Sequence, residues 1–205
     1  MTSVAPSPEP ISYRSELWRK AIHLGSAGFP LAYAWWLPRT TMVIVLAIAC
    51  VIALAVEVGR RRSGAVASRF ERTVGGMLRS HEHSAAVGAT WMLVAYLGVV
   101  LMAPKPVAIT AMCAVSLGDA VAALVGRAIG RVRLGTTGKT LEGALACAAV
   151  TWAAAHWIGL LLPGAATVAA VAATLAELPR GPGDDNARVA IVTALAAFAG
   201  TRWLG

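Results

Sequence analysis

Seven apolar stretches, separated by polar or Pro/Gly-bearing segments, dominate the chain: about 20–37, 40–58, 85–103, 106–125, 140–162, 164–179 and 187–204. Apolar runs of roughly 17–25 residues cross a ~30 Å hydrocarbon core as helices. The pattern therefore predicts an all-α, polytopic membrane helical bundle of about seven transmembrane helices. The sixth and seventh stretches are short and alanine-rich. Nothing alternates with period two over any length, so no sheet or barrel competes. Residues 1–12, rich in Pro and Ser, read as a flexible tail and not as a cleaved signal. Residues 13–205 read as one transmembrane catalytic domain.

The polar positions give the bundle a direction. Seven crossings put the N-terminus and the 59–84, 126–139 and 180–187 loops on one side. That side collects Arg14, Arg19, Lys20, Arg60, Arg61, Arg62, Arg69, Arg72 and Arg79. It also collects Arg127, Arg131, Arg133, Lys139, Arg180 and Arg188, leaving only Arg39, Lys105 and Arg202 of the 18 basic residues opposite. Inner loops are enriched in Lys and Arg, so the N-terminus is expected inside and the C-terminus outside. All ten acids fall in the N-terminal tail, the inner loops or the inner halves of the spans. Chemistry is expected on the cytoplasmic side of a cell membrane.

Composition agrees with that picture. Apolar residues make up 58% and charged residues 14% of the 205 positions, with mean hydropathy +0.68. A soluble domain carries about 25% charged residues, so disorder is excluded and a soluble enzyme nearly so. The net charge of +8 follows from the topology and requires no nucleic acid. Cys50, Cys113 and Cys147 lie far apart in apolar stretches without a CxxC, and read as core residues.

The richest segment is 116–143, SLGDAVAALVGRAIGRVRLGTTGKTLEG. An Asp inside an apolar span costs about 2.5–3.5 kcal/mol on insertion scales, which makes Asp119 a functional candidate. The plain alternative is an interhelical bond or a pair with Arg127. On a helix continued past the membrane edge, Asp119, Ala123, Arg127 and Arg131 share one stripe. Gly118, Ala122, Gly126 and Gly130 share the next, a small-residue packing surface. A carboxylate below two guanidiniums suits a metal-bound polyphosphate.

The loop Gly135–Thr140 fails the P-loop pattern, because Arg133 stands where that pattern needs Gly and no strand precedes it. A Gly-bearing loop entering a helix still offers phosphate its backbone N–H groups and the positive helix end. Glu142 is either a helix-start acid or a metal ligand. Asp184, Asp185 and Asn186 are either an N-cap cluster or oxygen donors for Mg²⁺. Arg19, Lys20 and His23 share one helix face, as an interfacial anchor or a phosphate contact. His81-Glu82-His83 lacks the HExxH spacing of a zinc helix. His156 reads as structural.

Taken together, Gly118-Asp119, Ala122, Gly126-Arg127, Gly130 and Gly138-Lys139-Thr140-Leu141-Glu142-Gly143 resemble the nucleotide-binding block shared by CTP-using membrane enzymes. Arg19-Lys20-x-x-His23, the acid at Glu82, and Glu177 followed by Asp184-Asp185-Asn186 resemble the dolichol kinase, phytol kinase and CTP-dependent diacylglycerol kinase family. The Gly/Asp/Arg-rich final block of the phosphatidate cytidylyltransferases is absent. The resemblance implies a kinase that moves the γ-phosphate of CTP to a lipid alcohol of phytol, polyprenol or diacylglycerol type, giving CDP. On that reading Asp119, Glu142 and one of Asp184 and Asp185 hold Mg²⁺. Arg127, Arg131 and Lys139 neutralise phosphate, with Gly118, Gly138, Thr140 and Gly143 in the nucleotide site. A remaining carboxylate, preferably Asp185, takes the hydroxyl proton. The rivals are CDP-lipid synthesis and a transporter built on an intramembrane Asp. The choice of CTP over ATP rests on the resemblance, since these cations would neutralise any triphosphate. Oligomeric state is not legible.

Overall fold

The computed structural model describes residues 13–78, 85–135, 138–178 and 184–204. The expected tail at 1–12, His81-Glu82-His83, Thr136, Thr137 and Arg180 lie outside those residues. The chain folds as helices in the order α1 (Tyr13–Ser26), α2 (Gly28–Trp35), α3 (Arg39–Arg62), α4 (Gly64–Val74) and α5 (Gly88–Met102). Helix α6 (Lys105–Cys113) runs through a π-helical turn, Ala114–Gly118, into α7 (Asp119–Ala128). A two-residue antiparallel pair, β1 (Arg133–Leu134) with β2 (Lys139–Thr140), leads into α8 (Leu141–Ala153), which ends in a second π turn. Helices α9 (Pro163–Glu177) and α10 (Asp185–Trp203) complete the bundle.

Prolines set several boundaries. Pro38 and Pro104 precede α3 and α6, and Pro163 opens α9, where a missing N–H costs nothing. Pro30 cannot donate to the Ser26 carbonyl, and the expected 20–37 span is in fact two helices that break at Ala27. Two further expectations are corrected. The 59–84 segment contains the amphipathic helix α4, and the 126–139 segment carries β1 and runs into β2. Gly135 and Gly138, at φ +58° and +76°, take the left-handed conformations this turn needs.

Among the described residues, three helical segments are long and apolar enough to cross a membrane: Arg39–Arg62, Lys105–Ala128 and Leu141–Ile158. Lys105–Ala128 is the central one and is mostly buried. Its Met112 and Val115 pack with Tyr33, Met42, Leu46 and Tyr96 in the main core. Helix α3 is the opposite case, exposing Ile44, Ile48, Val51, Ile52 and Leu54 in a continuous apolar surface. A surface of that kind needs an apolar cover.

Side-chain bridges fix the helix directions. Arg39 at the start of α3 donates to the carbonyls of Val100 and Leu101 at the end of α5, while Lys105 donates to the Leu37 carbonyl. At the other end of α3, Glu57 accepts from the Val87 N–H at the start of α5. Small residues set the tightest approaches. A Cβ on Gly143 would lie 2.6 Å from the Ala122 carbonyl oxygen, and one on Gly200 would lie 2.9 Å from the Ala165 Cα.

Candidate functional site

Helix α1 presents Lys20 and His23 one turn apart on its buried face. Across from them, Asp119 opens α7 directly after the π turn, a distortion of the kind that recurs at functional sites. The Lys20 ammonium donates to Asp119 Oδ2 at 2.5 Å, and His23 Nδ1 lies 3.3 Å from the same oxygen. The two side chains are 8% and 12% exposed for Lys20 and Asp119, so the pair is held almost out of water. A buried carboxylate is tolerated only when paired in this way.

A second pair lies beside the first. Lys139, on β2, donates to the carboxylate of Glu177 at the end of α9. The Lys139 side chain is 36% exposed, whereas that of Glu177 is 6% exposed. The Lys139 charge also acts on Asp119, and the Asp119 and Glu177 carboxylates repel one another. Helices α1, α7 and α9 and strand β2 thus bring two ammoniums, two carboxylates and an imidazole into one cluster. Every one of these five residues was legible as a candidate; their mutual pairing was not.

Other expected site residues occupy different places. Helix α7 ends at Ala128, so the stripe expected from Asp119 to Arg131 stops at Arg127, which is exposed, and Asp119 pairs with Lys20 and His23 instead. The chain turns at Gly130, where a Cβ would fall 2.0 Å from the Gly126 carbonyl oxygen. Glu142 accepts from the backbone N–H groups of Arg131 and Val132 at 2.9 and 3.2 Å, which closes the base of the β pair. Thr140 caps α8 by accepting from the Gly143 N–H. Gly118 faces Thr151 and Cys147 of α8, and Gly143 meets Ala122 and Gly126 of α7, so both serve helix approach. Asp184 caps α10 by accepting from the Asn186 N–H at 2.9 Å, and Asp185 is the first residue of that helix. Among the described residues, no three His, Cys, Asp or Glu side chains form a metal-holding group, so Asp119, Glu142, Asp184 and Asp185 are not gathered as one.

Sequence reasoning missed the role of Glu57. This buried acid accepts from Arg60 at 2.7 Å, from the Val87 N–H at 2.8 Å and from Thr90 at 3.4 Å. Arg60 also donates to the Ala85 carbonyl, and Asn186 donates to the Gly88 carbonyl at 3.0 Å. These bonds pin the 85–90 segment against α3 and α10. The available signal was an acid ending an apolar run with Arg three residues on.

A cavity of about 190 Å³ opens beside His23. Ile22 of α1, Phe70 and Val74 of α4, and Val87, Ala89 and Met92 around the start of α5 form its apolar walls. Arg19, His23 and Asn186 are its polar lining side chains.

No family model, no curated protein and no solved structure matches the chain. The site's chemistry has to speak for itself. Two ammoniums suit phosphate oxygens, and two neighbouring carboxylates suit a hard divalent cation that takes its other ligands from phosphate and water.

Proposed function

We propose that the chain is a multi-pass membrane kinase that transfers the γ-phosphate of CTP to a lipid alcohol. The reading includes seven crossings, with the N-terminus and the site on the cytoplasmic side of the cell membrane. The observation that carries it is the Lys20–Asp119–His23 and Lys139–Glu177 pairing, centred on Asp119 within the apolar, membrane-length Lys105–Ala128 segment. A transporter built on Asp119 is the rival reading, and it would give no lipid phosphate in the test below.

Phosphoryl transfer is chiefly positioning and charge neutralisation. In the free protein each ammonium is neutralised by a carboxylate. Lys20 and Lys139 would turn to the triphosphate oxygens, aided by Arg127 and Arg131 at the rim. Asp119 and Glu177 would hold Mg²⁺, which supplies charge neutralisation between the phosphates. Two carboxylates suffice, since Mg²⁺ keeps waters and phosphate oxygens as its other ligands. This replaces Glu142, whose oxygens are engaged by backbone amides. The lipid oxygen bonds to the γ-phosphorus as the bridge to the β-phosphate breaks, and CDP leaves. Asp185, next to Asn186 at the cavity wall, is the candidate to take the hydroxyl proton.

The test is turnover of purified protein with CTP, Mg²⁺ and a panel of phytol, polyprenol and diacylglycerol acceptors. CDP and a lipid monophosphate are expected only when an acceptor is present, and Asp185→Asn should abolish both. Pyrophosphate as the product would overturn the kinase, and efficient use of ATP with CTP inert would overturn the nucleotide assignment.

A further inference from the structure

The cavity beside His23 has a composition the cluster does not account for. Its walls are mostly apolar, and its polar lining side chains are Arg19, His23 and Asn186, of which His23 also belongs to the Asp119 cluster. Helix α4 closes one side. Phe70 and Val74, one turn apart, face the cavity, while Arg69, Glu71 and Arg72 lie between and outside them. None of the described α4 residues is fully buried. At the mouth, Ile22 is 48% exposed and Ala89 is also exposed, so the opening is itself apolar.

We infer that this crevice between α1, α4 and α5 is the acceptor site, taking the first part of the lipid alcohol's hydrocarbon chain with the hydroxyl at His23. The inference rests on the kinase reading above and names where its second substrate lies. The apolar walls of this open crevice favour contact with hydrocarbon over contact with water. A hydroxyl placed beside the imidazole can hydrogen-bond there, because a hydroxyl both donates and accepts. The volume is below the ~300–1,000 Å³ of sites that enclose a drug-sized ligand. The crevice therefore holds the head of a long chain, and the remainder leaves past Ile22 and Ala89. Selection acts on the segment nearest the hydroxyl and tolerates variation in total length.

The experiment is photolabelling of the full chain in lipid nanodiscs with a long-chain alcohol bearing a diazirine near its hydroxyl end, followed by peptide mapping. Label is expected on peptides containing Val74 and Met92, competed by unlabelled alcohol and lost in Ala89→Trp, which fills the mouth. The same variant should raise KM for the lipid about tenfold, the effect of excluding roughly two methylenes from an apolar site, with KM for CTP unchanged. Val74→Phe, on the opposite wall, gives the same readout should Ala89→Trp fail to fold. Uniform labelling of α3 in wild type and variant alike overturns the acceptor site. So does lipid phosphorylation that Ala89→Trp leaves untouched, and in that case the kinase reading stands. Saturable labelling of the crevice by a protein that makes no lipid phosphate retires the kinase and keeps the crevice as a lipid site.

Discussion

Lys20 and Asp119, 99 residues apart in sequence, meet at 2.5 Å and tie the first helix to the most buried one. The pair has two roles. It makes a buried carboxylate tolerable, and on the kinase reading it supplies a cation and an anion for a metal–triphosphate. Breaking it from one side strands a charge, at a cost of about 3–5 kcal/mol. Lys20→Met should therefore lower the unfolding temperature in detergent more than Lys20→Met with Asp119→Leu does. A double-mutant cycle on thermal stability checks this, and strictly additive losses would show the pair uncoupled.

Glu142 separates two roles that look alike in sequence. As the acceptor for the Arg131 and Val132 N–H groups, it needs oxygens and not a charge. Glu142→Gln should keep most of the wild-type turnover, whereas Glu142→Ala should lose it as the β pair opens. Equal loss in both, measured as kcat, would return Glu142 to the metal site.

The glycines of α7 and α8 are expected to behave as packing residues. Gly143→Ala places a Cβ 2.6 Å from the Ala122 carbonyl oxygen and should destabilise by about 1–3 kcal/mol. Gly98→Ala, with nothing within 4 Å of the added Cβ, should leave the fold intact. Thermal unfolding of the two variants side by side makes the comparison. A Gly143→Ala protein as stable as wild type but unable to bind CTP would assign that glycine to the nucleotide.

Much of the cluster was legible because each member breaks a local rule. Asp119 interrupts an apolar span, Glu177 ends one, Lys20 and His23 stand at the start of the 20–37 stretch, and Lys139 precedes α8. Which cation meets which anion depends on how four elements pack, and no spacing along the chain encodes that. Local chemistry that acts against helix continuity was also hidden. The π turn before Asp119, the break at Ala27 and the stop before Gly130 each depend on contacts or backbone geometry, and the periodicity runs straight through them. Helix α4 was hidden for another reason, since its charges read as loop while Phe70 and Val74 carry its apolar face.

The proposed sidedness rests on the 15-to-3 split of basic residues between the two expected sides. Single cysteines at Gly64 and Gly164, in a background lacking the buried Cys50, Cys113 and Cys147, should react from opposite sides of sealed vesicles. Gly64 starts α4, next to Arg60–Arg62, and is expected to face the cytoplasm, with Gly164 outside. Reaction of both from one side would contradict the seven-crossing arrangement.

The most direct measurement follows isotope from nucleotide to lipid. Wild-type protein is incubated with Mg²⁺, a lipid alcohol and either α-labelled or γ-labelled CTP, and the extracted lipid is counted, with Asp119→Asn as the control. Label should enter the lipid from γ-labelled CTP alone and vanish in Asp119→Asn. Label entering from α-labelled CTP, or from neither, would contradict a CTP-dependent lipid-alcohol kinase.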